Sequence, residues 1–187
     1  AVGSPYVITG TLVVAQNRTL TLEPGAELWF RDQGRLQVRG GLIALGTPSQ
    51  PITLTSWHVG KQPGDWRGVV FESTAISSTF NSAGIYSGGS VLQHTTIEAA
   101  GYGSRYAVDA PATALLVQES TIRNNSAGGL RSHGGVVINN LIADNILAVT
   151  SDINGVGISN DSGGWIAGNT VTNNQAIANS WSYRVYG

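Results

Sequence analysis

Apolar residues in the second half of the chain recur at long, repeat-like intervals, with no helical spacing. Ile97, Ile122, Ile142 and Val171 lie 25, 20 and 29 residues apart, and each has a second aliphatic residue five positions earlier, namely Leu92, Val117, Val137 and Ile166. Two positions before each anchor stands a small polar residue, Thr95, Ser120, Asn140 or Asn169; three positions after it stand Ala100, Asn125, Asn145 and Asn174. Periods of this length mark stacked repeats, none of which can bury its apolar face alone. The fullest copy runs from Gly163 to Asn174. Asn is a common turn residue, but three in one column beside two aliphatic columns predict a ladder, each amide bonding the next and holding its own turn.

A second pattern precedes the first: a small residue followed by an inward aliphatic one, in Gly84-Ile85, Ala107-Val108, Gly129-Leu130 and Gly157-Ile158. Glycine pairs follow three of these, Gly88-Gly89, Gly134-Gly135 and Gly163-Gly164, as turns needing positive φ would require. Each repeat therefore reads as strand, glycine turn, strand, asparagine turn, and stacking such units makes parallel sheets with no helix. In-register alignment also sets Glu98 beside Arg123 and Asp109 beside Arg131, on adjacent strands about 4.8 Å apart, as outward ion pairs.

Residues 6–57 carry seven short alternating runs: Tyr6-Val7-Ile8, Thr11 to Val14, Thr19 to Leu22, Leu28-Trp29-Phe30, Leu36-Gln37-Val38, Leu42 to Leu45 and Ile52 to Thr55. Turn chemistry joins them, as in Glu23-Pro24-Gly25, Asp32-Gln33-Gly34 and Arg39-Gly40-Gly41. The runs from Leu20 to Phe30, Leu36 to Thr47 and Pro51 to Ser56, followed by Trp66-Arg67-Gly68, resemble the first coils of secreted bacterial β-helix proteins of the pectin-lyase-like superfamily. The resemblance covers essentially the whole chain. It implies an all-β right-handed parallel β-helix, a solenoid with short turns and a few inserted loops, in one domain spanning residues 1–187. It fixes function weakly, because that scaffold hosts lyases, hydrolases, adhesins, ice binders and phage tailspikes.

Composition narrows the function classes. The chain has 187 residues, 41% hydrophobic and 11% charged, with 25 glycines, one lysine (Lys61) and a formal charge of −1, which gives no electrostatic footprint for nucleic acid or an anionic membrane. No apolar run approaches the length of a membrane span. There is no cysteine, so disulfides and thiolate metal sites are excluded, and no cofactor or metal is expected. The absence of any Met, and of a signal-peptide pattern at Ala1, reads as a processed or excised chain, with secretion or cell-surface display the expected location.

Three stretches break the repeat and should project as loops: Trp57 to Asp65, Gly101 to Arg105 and Ile146 to Asn154. Trp57, His58, Trp66, Tyr102 and Tyr106 give the first two an aromatic character suited to stacking on sugar rings. Arg131, His133, Asp144, Asp152 and Asp161 are the catalytic candidates, since successive repeats could bring them to one side. The carboxylate, His and Arg motifs of the superfamily's hydrolases are absent as a set; Ser132-His133-Gly134 echoes one of them. Three N-glycosylation patterns, at Asn17, Asn124 and Asn160, arise readily by chance in an Asn-rich chain, and two Thr-x-Thr pairs, Thr19/Thr21 and Thr53/Thr55, are too few for an ice-binding array. No amphipathic helix precedes Tyr6 to cover the first repeat, and residues 180–187 could form an aromatic cap or a strand offered to a neighbour. The sequence thus points to a non-catalytic structural or interaction module that could self-associate through its ends as a homo-oligomer or filament. A polysaccharide-processing enzyme and a glycan-binding adhesin or tailspike segment are the alternatives.

Overall fold

The computed structural model describes residues 3–149, 153–178 and 185–186. Every regular element among them is a β-strand, and all strand pairings but that of one hairpin run parallel. Three sheets hold most of the strands. Sheet I contains Tyr6–Ile8, Glu27–Phe30, Ile52–Ser56, Thr95–Glu98, Thr121–Arg123, Leu141–Ala143 and Thr170–Thr172. Sheet II contains Thr11–Val14, Arg35–Val38, Gly68–Phe71, Tyr106–Asp109, Gly128–His133 and Ile158–Asp161. Sheet III contains Thr19–Leu22, Gly41–Leu45, Val91–Gln93, Leu116–Gln118, Val136–Ile138 and Trp165–Ala167. The chain visits the sheets in strict rotation, I, II, III, so each turn of the cycle adds one strand to each sheet. We call such a set a level.

All seven strands expected over residues 6–57 are present. The expected aliphatic column forms too: Leu28 pairs with Leu54, Leu54 with Ile97, and the row continues through Ile122 and Ile142 to Val171. Leu92, Val117, Val137 and Ile166 make the matching row of sheet III. Side chains alternate across a strand, so these rows point one way and meet in a single apolar cluster shared by the three sheets. Ile97, Ile122 and Ile142 are fully buried, each contributing about 1.5–3 kcal/mol by leaving water. Val171, in the last level, is 50% exposed.

The polar columns are the predicted ladders. Asn125 Nδ2 donates to Asn145 Oδ1 at 2.7 Å and Asn145 Nδ2 to Asn174 Oδ1 at 2.7 Å. The same amides donate to the carbonyls of Ile97, Ile122 and Ile142. In the other column the Thr95 amide donates to Ser120 Oγ, that of Ser120 to Asn140 Oδ1 and that of Asn140 to Asn169 Oδ1. Corners between sheets would otherwise bury unpaired peptide groups, and the ladders satisfy them.

Three features depart from the sequence reading. A repeat holds three strands, since the run from Leu92 to Ile97 breaks at a left-handed residue, His94 at φ 45°, and its equivalents Glu119, Asn139 and Gly168 do the same. Glu is uncommon in that conformation and the residue type changes at every level, so this corner is masked in the sequence. Gly84-Ile85 is not a level. It tips a hairpin of Thr79–Phe80 with Tyr86–Gly88, where Asn81 Oδ1 accepts from the Ala83 and Ile85 amides at 3.0 Å, and Ile85 is 64% exposed. The true partner of Val108 is Val69, one hairpin and one loop earlier. The stretch Ile146 to Asn154 is more than a loop, because Ile146–Val149 pairs with Gln175–Ala178 and Ile153–Asn154 with Val185–Tyr186. Leu147 drives this by burying against Val156 and Ala176. The rest of the 180–187 stretch lies outside the described residues.

The small-residue column has a steric cause. A Cβ on Gly129 would lie 2.5 Å from Ile142 Cγ2 and 2.6 Å from the Gly157 carbonyl oxygen. Among the described residues, apolar hollows border the first and last levels. A hollow of about 510 Å³ lies among Tyr6, Ile8, Leu12, Leu20 and Leu28, and one of about 500 Å³ among Val156, Ile158, Ile166 and Val171.

Candidate functional site

The charged candidates come together only in part: Arg131, His133 and Asp161 share the outer face of sheet II on adjacent levels, whereas Asp144 does not. Arg131 and His133 share the outer face of one sheet II strand, and each is engaged by an adjacent level. Arg131 Nε donates to Asp109 Oδ1 at 2.6 Å, with its guanidinium 5.3 Å from the Tyr106 ring centre. His133 Nδ1 lies 2.8 Å from Asp161 Oδ1 and 3.2 Å from Ser162 Oγ. A Ser-His-Asp relay needs the hydroxyl and the carboxylate on opposite ring nitrogens; here both address the same one. Asp144 sits at a sheet I corner with φ 54°, exposed and away from the sheet II strands, and Asp152 lies outside the described residues. Among the described residues, no three His, Asp or Glu side chains are grouped to hold a metal ion.

The aromatic candidates divide. Trp66 is fully buried, stacked on Phe30 at 4.2 Å with the rings 4° from parallel, and its Nε1 donates to the Glu98 carbonyl at 2.8 Å. It is a core residue and cannot meet a sugar. Tyr106 is also buried; its hydroxyl donates to the Gly155 carbonyl, and burial pushes that hydroxyl above the usual tyrosine range. Trp66 bridges to Ala100 ahead of Gly68–Phe71 and Tyr106 starts Tyr106–Asp109, and both side chains are buried. Trp57, His58 and Tyr102 are exposed, as expected, Trp57 under the Arg31 guanidinium at 5.0 Å and Tyr102 under that of Arg67 at 5.5 Å. The Trp57 to Asp65 loop is pinned by Ser56 Oγ to Asp65 Oδ2 at 2.6 Å and by Lys61 Nζ to Glu98 at 3.0 Å.

Glu98 is the hub of that surface. It also receives Arg123, at 3.3 Å, and the Thr55 hydroxyl, at 3.1 Å. Burial pushes its carboxyl upward, but the hydrogen bond and charge of Lys61, with Thr55 and Arg123, outweigh this and hold it below the usual glutamate value. The in-register pairs Glu98–Arg123 and Asp109–Arg131 are thus present as expected. His94–Glu119, at 2.8 Å, and His133–Asp161 join them as further pairs between levels.

A concave surface lies elsewhere, on the outside of sheet III. Strand alternation sends Leu92, Val117 and Val137 inward and leaves Val91, Leu116, Val136 and Trp165 as an outward row in register. The hairpin folds over the first part of this row. Ser78 ties it down, its amide donating to the Ala114 carbonyl and its Oγ accepting from the Leu116 amide, so that Val91 and Leu116 are buried. Beyond the hairpin's edge a groove of about 420 Å³ opens, bordered by Phe80, Tyr86 and Trp165 and floored by Gln93, Gln118 and Ile138. Phe80 and Tyr86 meet edge to face at 6.4 Å, and the Tyr86 hydroxyl is fixed on the Gly89 carbonyl at 2.7 Å. Trp165 is 65% exposed. Gln93 and Gln118 lie on paired positions of adjacent levels, and their side-chain amides make no hydrogen bond to any described residue. No sequence pattern marked this site, because the hairpin that makes its wall was read as part of the repeat.

No protein-family model matches the sequence, and comparison with curated proteins and with solved structures yields no match. What is established is the class: an all-β protein of mostly parallel strands in several sheets. No helix of the described residues is long and apolar enough to cross a membrane.

Proposed function

We propose that the chain is a right-handed parallel β-helix of the pectin-lyase-like kind, working as a non-catalytic interaction module of a secreted or cell-surface protein and holding a glycan in the groove beside the hairpin. The rotation of strands through three parallel sheets and the stacked asparagines support the architecture. One observation carries the function: an open groove in which exposed aromatic rings flank free amide groups, the composition of sites that stack and hydrogen-bond sugars. The non-catalytic part draws on Arg131, His133 and Asp161, which are committed to pairs between levels. The test is a glycan array with the wild type and Trp165→Ala. Binding that the variant loses supports the reading, and uniform lack of binding refutes it. Product release from any bound glycan would restore the enzyme alternative.

The two apolar hollows favour a second reading, end-to-end association of copies, each continuing the three parallel sheets of the next. Sedimentation velocity of the 187-residue chain across a hundredfold range of concentration tests it. A single monomeric species throughout removes it.

A further inference from the structure

We infer that the groove on sheet III selects an uncharged glycan chain, read by the Gln93–Gln118 pair at one sugar ring per level. The inference rests on the glycan reading above and specifies its ligand class.

Every side chain lining the groove is uncharged. The adjoining corner carries a single pair, His94–Glu119, already mutually engaged at 2.8 Å. An anionic sugar seated there would lose water around its carboxylate and gain no countercharge, an expensive exchange in a partly apolar site. A neutral ring has no such penalty. An amide offers donors and an acceptor together, matching hydroxyls, which also do both. Gln93 and Gln118 are paired on neighbouring parallel strands, whose backbones lie about 4.8 Å apart, close to the length of one pyranose along its chain. Trp165 lies two levels beyond Gln118, through Val136 and Ile138, and its exposed ring gives the far end a stacking platform.

The geometry also disfavours a peptide. Peptides commonly dock by adding a strand at a sheet edge, but the groove lies on a face. Val91–Gln93, Leu116–Gln118 and Val136–Ile138 each pair with neighbours on both sides, so their ladder groups are already used and a ligand must be held by side chains.

The experiment is titration calorimetry of the intact chain with neutral hexasaccharides of glucose, xylose and mannose, and with galacturonate and hyaluronan chains of matched length. Wild type, Trp165→Ala and the double variant Gln93→Leu/Gln118→Leu are compared, with circular dichroism confirming that each is folded. The expected result is binding of at least one neutral chain at least tenfold tighter than either acidic chain, weakened tenfold or more in both variants. Equal or tighter binding of an acidic chain that still needs Trp165 overturns the selectivity and leaves the groove as a glycan site. Neutral binding that the double variant leaves unchanged overturns the glutamine pair. Binding of no glycan, or binding indifferent to Trp165, overturns the inference together with the proposed function.

Discussion

Replacing Asn145 by Ala should be among the most damaging single changes in the molecule, although it removes no apolar surface. The side chain is fully buried and makes three hydrogen bonds: it accepts from Asn125 Nδ2, and it donates to the Ile122 carbonyl and to Asn174 Oδ1. With Ala, the Asn125 amide keeps only a 3.4 Å contact to the Ile97 carbonyl, and the Ile122 carbonyl loses its side-chain donor. A nearly unsatisfied buried donor costs about 1–3 kcal/mol and each other lost bond about 1, for a total of about 3–5 kcal/mol. For a chain of this size that lowers Tm by about 6–20 °C. The control is Asn174→Ala, whose half-buried place admits water to the two Asn145 donors it leaves, Nδ2 and the main-chain amide, at about 1 kcal/mol each. Asn145→Asp keeps the acceptor for Asn125 but turns an oxygen toward the Ile122 carbonyl and Asn174 Oδ1, and should destabilise at least as much as Ala. Urea unfolding, followed by circular dichroism at matched slope, gives the three values. Equal losses for Asn145→Ala and Asn174→Ala, or a loss under about 1 kcal/mol for the former, would refute the idea that the ladder bears stability through its buried rungs.

Trp66→Ala should cost about 3–5 kcal/mol through its lost stack on Phe30, while exposed Trp57→Ala should cost about 1; the same unfolding assay ranks them, and the reverse order would return Trp66 to the surface. Gly129→Ala, with its Cβ 2.5 Å from Ile142, should lose about 1–3 kcal/mol, and an unchanged midpoint would mean that the levels separate more readily than described. Glu98 is held below the usual glutamate value of 4.5, so its contribution is complete above that value and disappears as pH falls through it toward the lowered folded value. Midpoints of the wild type and Glu98→Gln, measured between about pH 6 and pH 3, should therefore converge at the acid end; a gap that widens there contradicts the assignment.

The stacking of levels was legible because it rests on one-dimensional regularity. Ile97, Ile122 and Ile142 keep their spacing to Leu92, Val117 and Val137, and an Asn that must both cap a corner and bond its copy leaves no cheaper substitute. The break between each such pair was not legible, since Glu119 occupies a left-handed corner that local preference assigns to Gly or Asn, and its counterparts His94, Asn139 and Gly168 share no one residue type. Nor was the hairpin. Gly84-Ile85 reproduces the small-then-aliphatic pattern of Gly129-Leu130, and only the pairing of Val69 with Val108 shows the pattern to be coincidental there. The groove followed the hairpin out of sight: Gln93, Gln118 and Trp165 are outward residues on three strands, and nothing along the chain says that a wall stands beside them. Trp66 and Tyr106 misled for the opposite reason, their neighbours in sequence being loop residues while their own positions belong to the core.

The shortest interval between stacked asparagines, residues 126–145, contains no excursion from the rotation. Excising it would seat Asn125 on Asn174, Ile122 on Val171 and Val117 on Ile166, reproducing the polar and aliphatic junctions now made by the deleted segment; the visible scars are Asp109, which loses its guanidinium, and Tyr106, whose ring would meet Val156 in place of Gly128. The length of this molecule is therefore an adjustable quantity, open to trimming or duplication in whole increments without a new interior having to be invented.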